Sequence, residues 1–140
     1  MAKTTSASAS RDVSSEPKRR KRTPALPKGV TCAVRTMLDK KAADVVVLDL
    51  RKAGGFTDFF VIGTGGSSRQ INAIADAVNE TLLTEVVERP HLTEGTEKSQ
   101  WILLDYFNFV VHVFSRECRA FYELERLWGT AERIEFSQEG

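Results

Sequence analysis

Two β-branched runs separated by a short turn constrain this chain more than any other feature. Residues 44–51 read DVVVLDLR and residues 57–65 read TDFFVIGTG, with Lys52-Ala53-Gly54-Gly55 between them. A strand with one wet face alternates apolar and polar residues, whereas consecutive Val, Ile and Phe fit a strand covered on both faces. A short glycine-bearing turn between two such runs predicts antiparallel neighbours. The rest of the chain must then supply helices to cover the sheet.

The flanking segments meet that requirement. Val30, Ala33, Val34, Met37 and Leu38 recur at helical spacing, which predicts a helix over residues 29–41. Ser67 opens a second helix with Gln70 three residues on, the spacing of a capping box. Ile71, Ile74, Ala75, Val78 and Leu82 then make one apolar stripe through about Leu83. Residues 85–89 read as a short edge strand ended by Pro90, and residues 91–99 as a loop. Residues 101–105 and 109–114 read as strands joined by a tight turn at 106–108. Ser115 is placed to cap a last helix that runs to Trp128 and stops at Gly129, leaving residues 130–140 as a weakly structured C-terminal tail. The expectation is a single α/β domain over residues 28–129, a mixed sheet of about five strands flanked by helices.

Charge divides the chain. Residues 1–29 hold eight Lys or Arg against Asp12 and Glu16, while residues 30–140 hold twelve against seventeen Asp or Glu. Residues 1–27 have no apolar periodicity and are rich in Ser, Thr, Ala, Lys and Arg, the composition of a disordered basic arm. An acidic body grips phosphate backbones poorly and suits a basic protein partner. No apolar run reaches the ~20 residues needed to cross a bilayer, and the N-terminus lacks the apolar core of a secretory signal. A cytoplasmic protein is expected. Cys32 and Cys118 have no metal-ligand spacing and read as buried free thiols of a reducing compartment.

Candidate chemistry is sparse. Residues 63–68, GTGGSS, form a glycine-rich turn from strand to helix, which can cradle a phosphate. The Walker lysine and the dinucleotide-binding spacing are missing, so a sharp turn with close packing is the better account. Asp44, Asp49, Asp58 and Asp105 form no Asp-x-Asp pair of the kind that gathers divalent metals, and each suits a cap, turn or partner contact. His112 sits in a strand beside Phe114 and reads as a satisfied structural group; His91 lies in a loop. No catalytic, cofactor-binding or metal-binding residues are therefore assigned, and the chain is not expected to be an enzyme. Trp101, Tyr106, Phe107 and Phe109 cluster about one hairpin, as either core or an aromatic binding face. Along residues 101–105, Trp101, Leu103 and Asp105 share one strand face and Ile102 and Leu104 the other. Tyr122 and Trp128 are expected to pack on the sheet.

These segments carry a resemblance. DVVVLDLR, TDFFVIGTGGSSRQINAIAD, Glu94-Gly95, WILLDYFNFVVHVF and RAFYELERLW follow one another so that the chain, from about Val30 to Trp128, resembles the ribosomal silencing factor (Iojap-related) family. The resemblance implies a nucleotidyltransferase-like fold without the catalytic acids. It implies a protein that binds the large ribosomal subunit through ribosomal protein L-fourteen, blocks joining of the small subunit and represses translation under nutrient limitation. It places the partner surface at Trp101, Ile102, Leu103, Asp105 and Glu94. It further implies a monomer on the ribosome and a homodimer when free. By its charge, the basic run at residues 18–22 suits either contact with ribosomal RNA phosphates or a solvated tail. Organellar relatives act in large-subunit assembly, which is the alternative function; a small nucleotide-binding enzyme is the alternative from another class. In one place the chain departs from the family pattern: Phe107-Asn108 stands where Gly-Asp is usual.

Overall fold

The two β-branched runs lie side by side in the interior of a six-stranded mixed sheet. The structure is a computed structural model that describes residues 26–54, 56–95, 98 and 100–137. Most of the basic arm, including residues 18–22, lies outside the described residues. The elements are α1 (Lys28–Asp39), β1 (Ala43–Asp49), β2 (Phe59–Thr64), α2 (Ser68–Glu85), β3 (Leu92–Glu94), β4 (Trp101–Asp105), β5 (Phe109–Phe114), α3 (Arg116–Tyr122), α4 (Leu124–Leu127) and β6 (Glu132–Phe136). The strand order is β3-β4-β5-β2-β1-β6. β1 and β2 are antiparallel, as their short turn predicts, and β2 and β5 are parallel. The α/β class is as expected.

Three expectations are corrected. The edge strand forms at Leu92–Glu94 and not at residues 85–89. α2 runs through Glu85, and Val87 takes a left-handed φ of 57° that extended pairing does not allow. Pairing starts beyond Pro90, where the His91 N–H donates to the Asp105 carbonyl at 2.7 Å. Residues 130–140 are not all tail, because Glu132–Phe136 pairs antiparallel with β1 and raises the sheet from five strands to six. Without β6, β1 would present an open edge of unpaired amides and carbonyls. The last helix is broken at Glu123, whose left-handed φ of 48° and ψ of 54° separate α3 from α4.

The sheet has two unlike faces. α1 and α2 cover one, burying Val45, Val47, Phe59, Val61, Ile102, Leu104, Val111 and Val113. The other carries Val46, Leu48, Phe60, Ile62, Val110 and Phe114, with Cys118, Leu124 and Trp128 packed on it. α3 and α4 are short and contribute no fully buried residue, so this second face is thinly roofed. Cys32 is buried as expected, whereas Cys118 is only half-buried.

Local bonds explain the junctions. The Ser67 hydroxyl accepts from the Gln70 N–H at 3.1 Å, half of a capping box. Gln70 Oε1 returns to the Gly66 N–H and not to that of Ser67. A Cβ on Gly65 would lie 2.7 Å from Ile71 Cγ1 and 3.1 Å from its amide nitrogen, so close packing requires glycine there. Ser115 caps α3 by accepting from the Cys118 N–H at 3.0 Å. Arg119 ties the thin roof down: it donates to the Asp44 carbonyl at 2.6 Å, Thr64 Oγ1 at 2.8 Å and Glu125 Oε2 at 2.6 Å.

Candidate partner-binding face

The alternation expected for β4 is present and decides what its side chains can reach. Trp101, Leu103 and Asp105 are half-buried, while Ile102 and Leu104 are 5% and 2% exposed and sit in the core beneath α2. Ile102, expected on the partner surface, is thus buried below it, on the opposite side of the strand from Trp101. Glu94 of β3 lies opposite Leu103 in register, and Leu92 lies opposite Asp105; both are exposed. Paired residues point to the same side of a sheet. Trp101, Leu103, Asp105, Leu92 and Glu94 therefore share one face, partly covered at Trp101 by Tyr122 of α3 and open toward β3.

Trp101 is held on several sides. Its indole Nε1–H donates to His112 Nδ1 at 3.1 Å. Its ring centroid lies 4.9 Å from that of Phe114 and 4.8 Å from that of Tyr122. Tyr122 thus packs at a tilt against Trp101 and stays half open, whereas Trp128 packs on the sheet as expected. The loop from β3 crosses close over the Trp101 backbone. Gly95 has φ 115°, and a Cβ there would stand 2.9 Å from the Trp101 carbonyl oxygen, so that crossing needs glycine.

Asp105 serves the turn as well as the face. Its Oδ1 accepts from the Phe107 N–H at 2.8 Å. Phe107 takes φ 81° and is 72% exposed, its ring 5.3 Å from the ring of His91. The turn is also held from the far side: Thr57 Oγ1 donates to the Phe107 carbonyl at 3.0 Å, and the Asp58 N–H donates to the Asn108 carbonyl at 3.1 Å. The departure at Phe107-Asn108 therefore keeps a tight turn and places an aromatic in backbone space that favours glycine.

His112 was not recognisable as part of this face. It is 3% exposed, between Ile62 and Leu103 in register, and its ring meets Phe60 edge-on at 4.5 Å. Burial pushes its pKa down to about 3, so the imidazole is neutral at ordinary pH. Since Nδ1 accepts the indole proton, the imidazole proton sits on Nε2, which has no hydrogen-bond partner among the described residues. The expectation of a satisfied histidine holds for one ring nitrogen and fails for the other. The alternation of residues 109–114 put His112 on the Phe114 side; the bond to Trp101 depends on the β4–β5 register, which no spacing within one strand reveals.

A pH effect follows. The folded pKa of about 3 lies below the ordinary 6.5. The unfolded chain therefore binds more protons between those values, and stability rises with pH across that window. The contribution is complete above about pH 6.5 and is lost as pH falls toward 3. By pH 5 the loss is about 2 kcal/mol. Urea unfolding at pH 7.5 and pH 5 should show it, and His112→Phe should flatten the difference; an equal slope in that variant would contradict the assignment.

The other candidate chemistry disperses. The Gly65 N–H donates to the Phe114 carbonyl at 2.8 Å and the Gly66 N–H to Gln70, so these turn amides are occupied by the fold. Asp49 pairs with Arg51 at 2.7 Å, which holds its carboxyl below the usual range. Asp44 offers its carbonyl to Arg119, and the Asp58 carbonyl accepts from the Leu50 N–H. Among the described residues no group of three or more His, Cys, Asp or Glu is placed to hold a metal ion. No described helix is long and apolar enough to cross a membrane.

Residues 23–140 match the family model described as ribosomal silencing factor during starvation. A ribosomal silencing factor of Halalkalibacterium halodurans is 41% identical over 103 residues, covering 74% of this chain and 87% of that one. A crystal structure of a Chromobacterium violaceum protein superposes with a TM-score of 0.68 at 30% identity, over 81% of this chain and 88% of that one. The mouse protein named mitochondrial assembly of ribosomal large subunit protein 1 is 31% identical over 68% of this chain and 42% of its own length.

Proposed function

Since this chain belongs to the ribosomal silencing factor family, a family of non-enzymatic repressors of translation, we propose that its β3–β4 face docks on ribosomal protein L-fourteen of the large subunit and blocks joining of the small subunit. The observation that carries the docking site is Trp101 itself. A half-buried indole, fixed by a hydrogen bond and flanked along β4 by Leu103, is the kind of aromatic anchor that dominates binding energy. Glu94 lies opposite Leu103 and Asp105 further along the same face, and acids at the edge of an apolar anchor suit a basic partner. Ile102 supports the face from below. Steric exclusion needs a stable dock and no bond chemistry, so the dispersal of the four aspartates is no obstacle. The nucleotidyltransferase likeness implied by the resemblance is, in this account, one of architecture alone.

The domain is taken to act in the cytoplasm as a monomer on the ribosome, with a homodimer as its free form, and residues 1–27 as an arm that adds contacts to ribosomal RNA phosphates. Titration calorimetry of the full chain against isolated L-fourteen tests the dock. One-to-one binding that weakens with salt is expected, because the acids lie at the rim. Absence of heat and of complex at tens of micromolar would end the proposal. A second reading, assembly of the large subunit, is favoured by the name of the mouse relative. It uses the same face and differs in when the dock is made.

A further inference from the structure

We propose that His112 is a positioning residue for docking: its Nδ1 fixes the orientation in which the Trp101 indole meets the partner, an inference that rests on the docking role of the β3–β4 face. The geometry is direct. The two side chains are diagonal neighbours across β4 and β5, and the indole N–H reaches Nδ1 at 3.1 Å. Besides His112, Trp101 makes ring contacts among the described residues with Phe114 and Tyr122. Such contacts tolerate a flipped or rotated indole. A hydrogen bond does not, because the indole has a single donor.

Stability alone does not explain a histidine at this position. His112 lies between Ile62 and Leu103 and against Phe60, an apolar setting that Phe or Leu would fill. Its Nε2–H is buried without a partner among the described residues, which costs stability. What the imidazole supplies that an apolar side chain cannot is the acceptor for Trp101. A half-buried anchor held in its bound orientation loses less freedom on binding, so the gain appears as affinity.

The test uses the full chain, isolated L-fourteen and variants at His112 and Trp101. His112→Phe removes the acceptor and the orphan N–H together. His112→Asn keeps an acceptor, because its Oδ1 can stand near the place of Nδ1. Trp101→Phe removes the donor from the other side. The readouts are Tm, calorimetric affinity and the Trp101 indole N–H resonance, assigned by its loss in Trp101→Phe. His112→Phe should keep or raise Tm, shift the indole resonance and weaken binding about tenfold, the effect of one anchor set free. His112→Asn should lower Tm yet recover most of the affinity. His112→Phe combined with Trp101→Phe should bind no more weakly than Trp101→Phe alone. Affinity that is unchanged in His112→Phe, or that follows Tm across the His112 variants, overturns the inference. If Trp101→Ala also leaves binding unchanged, the docking face itself is wrong; if Trp101→Ala weakens binding and His112→Phe does not, the positioning role alone falls.

Discussion

Trp101→Ala should leave a folded protein whose affinity for L-fourteen falls about thirtyfold, or about 2 kcal/mol. Both parts follow from its placement. The indole is half-buried, so truncation removes only part of the apolar area that a core tryptophan would lose, and the remaining cavity opens to solvent. The stability loss should stay near ~1–2 kcal/mol, below the ~3–5 kcal/mol typical of a fully buried tryptophan. The binding loss should be larger, because the exposed side of the indole and its fixed orientation are what a partner would meet. Thermal unfolding and calorimetric affinity on the same sample separate the two effects. A strongly destabilised variant with native affinity, after correction for folded fraction, would make Trp101 a core residue and remove it from the site.

Arg119→Ala should act in the opposite sense, costing ~2–3 kcal/mol of stability with affinity intact. Arg119 and Glu125 are 11% and 15% exposed, and the guanidinium also holds the Asp44 carbonyl and the Thr64 hydroxyl. Burial pushes the Glu125 pKa up, but the Arg119 hydrogen bond and charge outweigh it, leaving that carboxyl below its usual range. Removing the arginine strands a mostly buried carboxylate, which typically costs ~3–5 kcal/mol. Arg133 stands 3.7 Å from the same carboxylate and limits the damage, which is why the lower figure is expected. Urea denaturation measures it. Arg119→Lys should recover little, since an ammonium cannot reproduce three bonds in a planar fork. A wild-type midpoint in Arg119→Ala would show that the α3–α4 roof is held by packing alone.

Residues differ in how far their sequence betrays their place. Residues 44–51 and 57–65 announce central strands because burial on both faces leaves a local mark, a run of β-branched and aromatic side chains. The Ser67 and Ser115 caps are equally local. β3 left no such mark. Leu92, Thr93 and Glu94 are all exposed and pair through their backbones with residues 103–105, a non-local cause. β6 is similar: in ERIEF only Ile134 and Phe136 are half-buried, and the strand forms because β1 has an edge to cover. The break at Glu123 has neither Gly nor Pro to signal it. At the candidate face, the split of Trp101, Leu103 and Asp105 from Ile102 and Leu104 was readable from period two alone. That Ile102 would be sealed under α2, and that His112 would reach Trp101, depended on packing and register.

Sedimentation of purified subunits through sucrose tests the central claim most directly. Large subunits are incubated with the full chain, small subunits are added under conditions that favour joining, and the joined-ribosome peak is compared with and without protein. The account predicts that the wild-type chain cosediments with large subunits and lowers the joined peak, and that Trp101→Ala needs about thirtyfold more protein to do the same. A joined peak undiminished while the wild-type chain saturates the large subunit would contradict it.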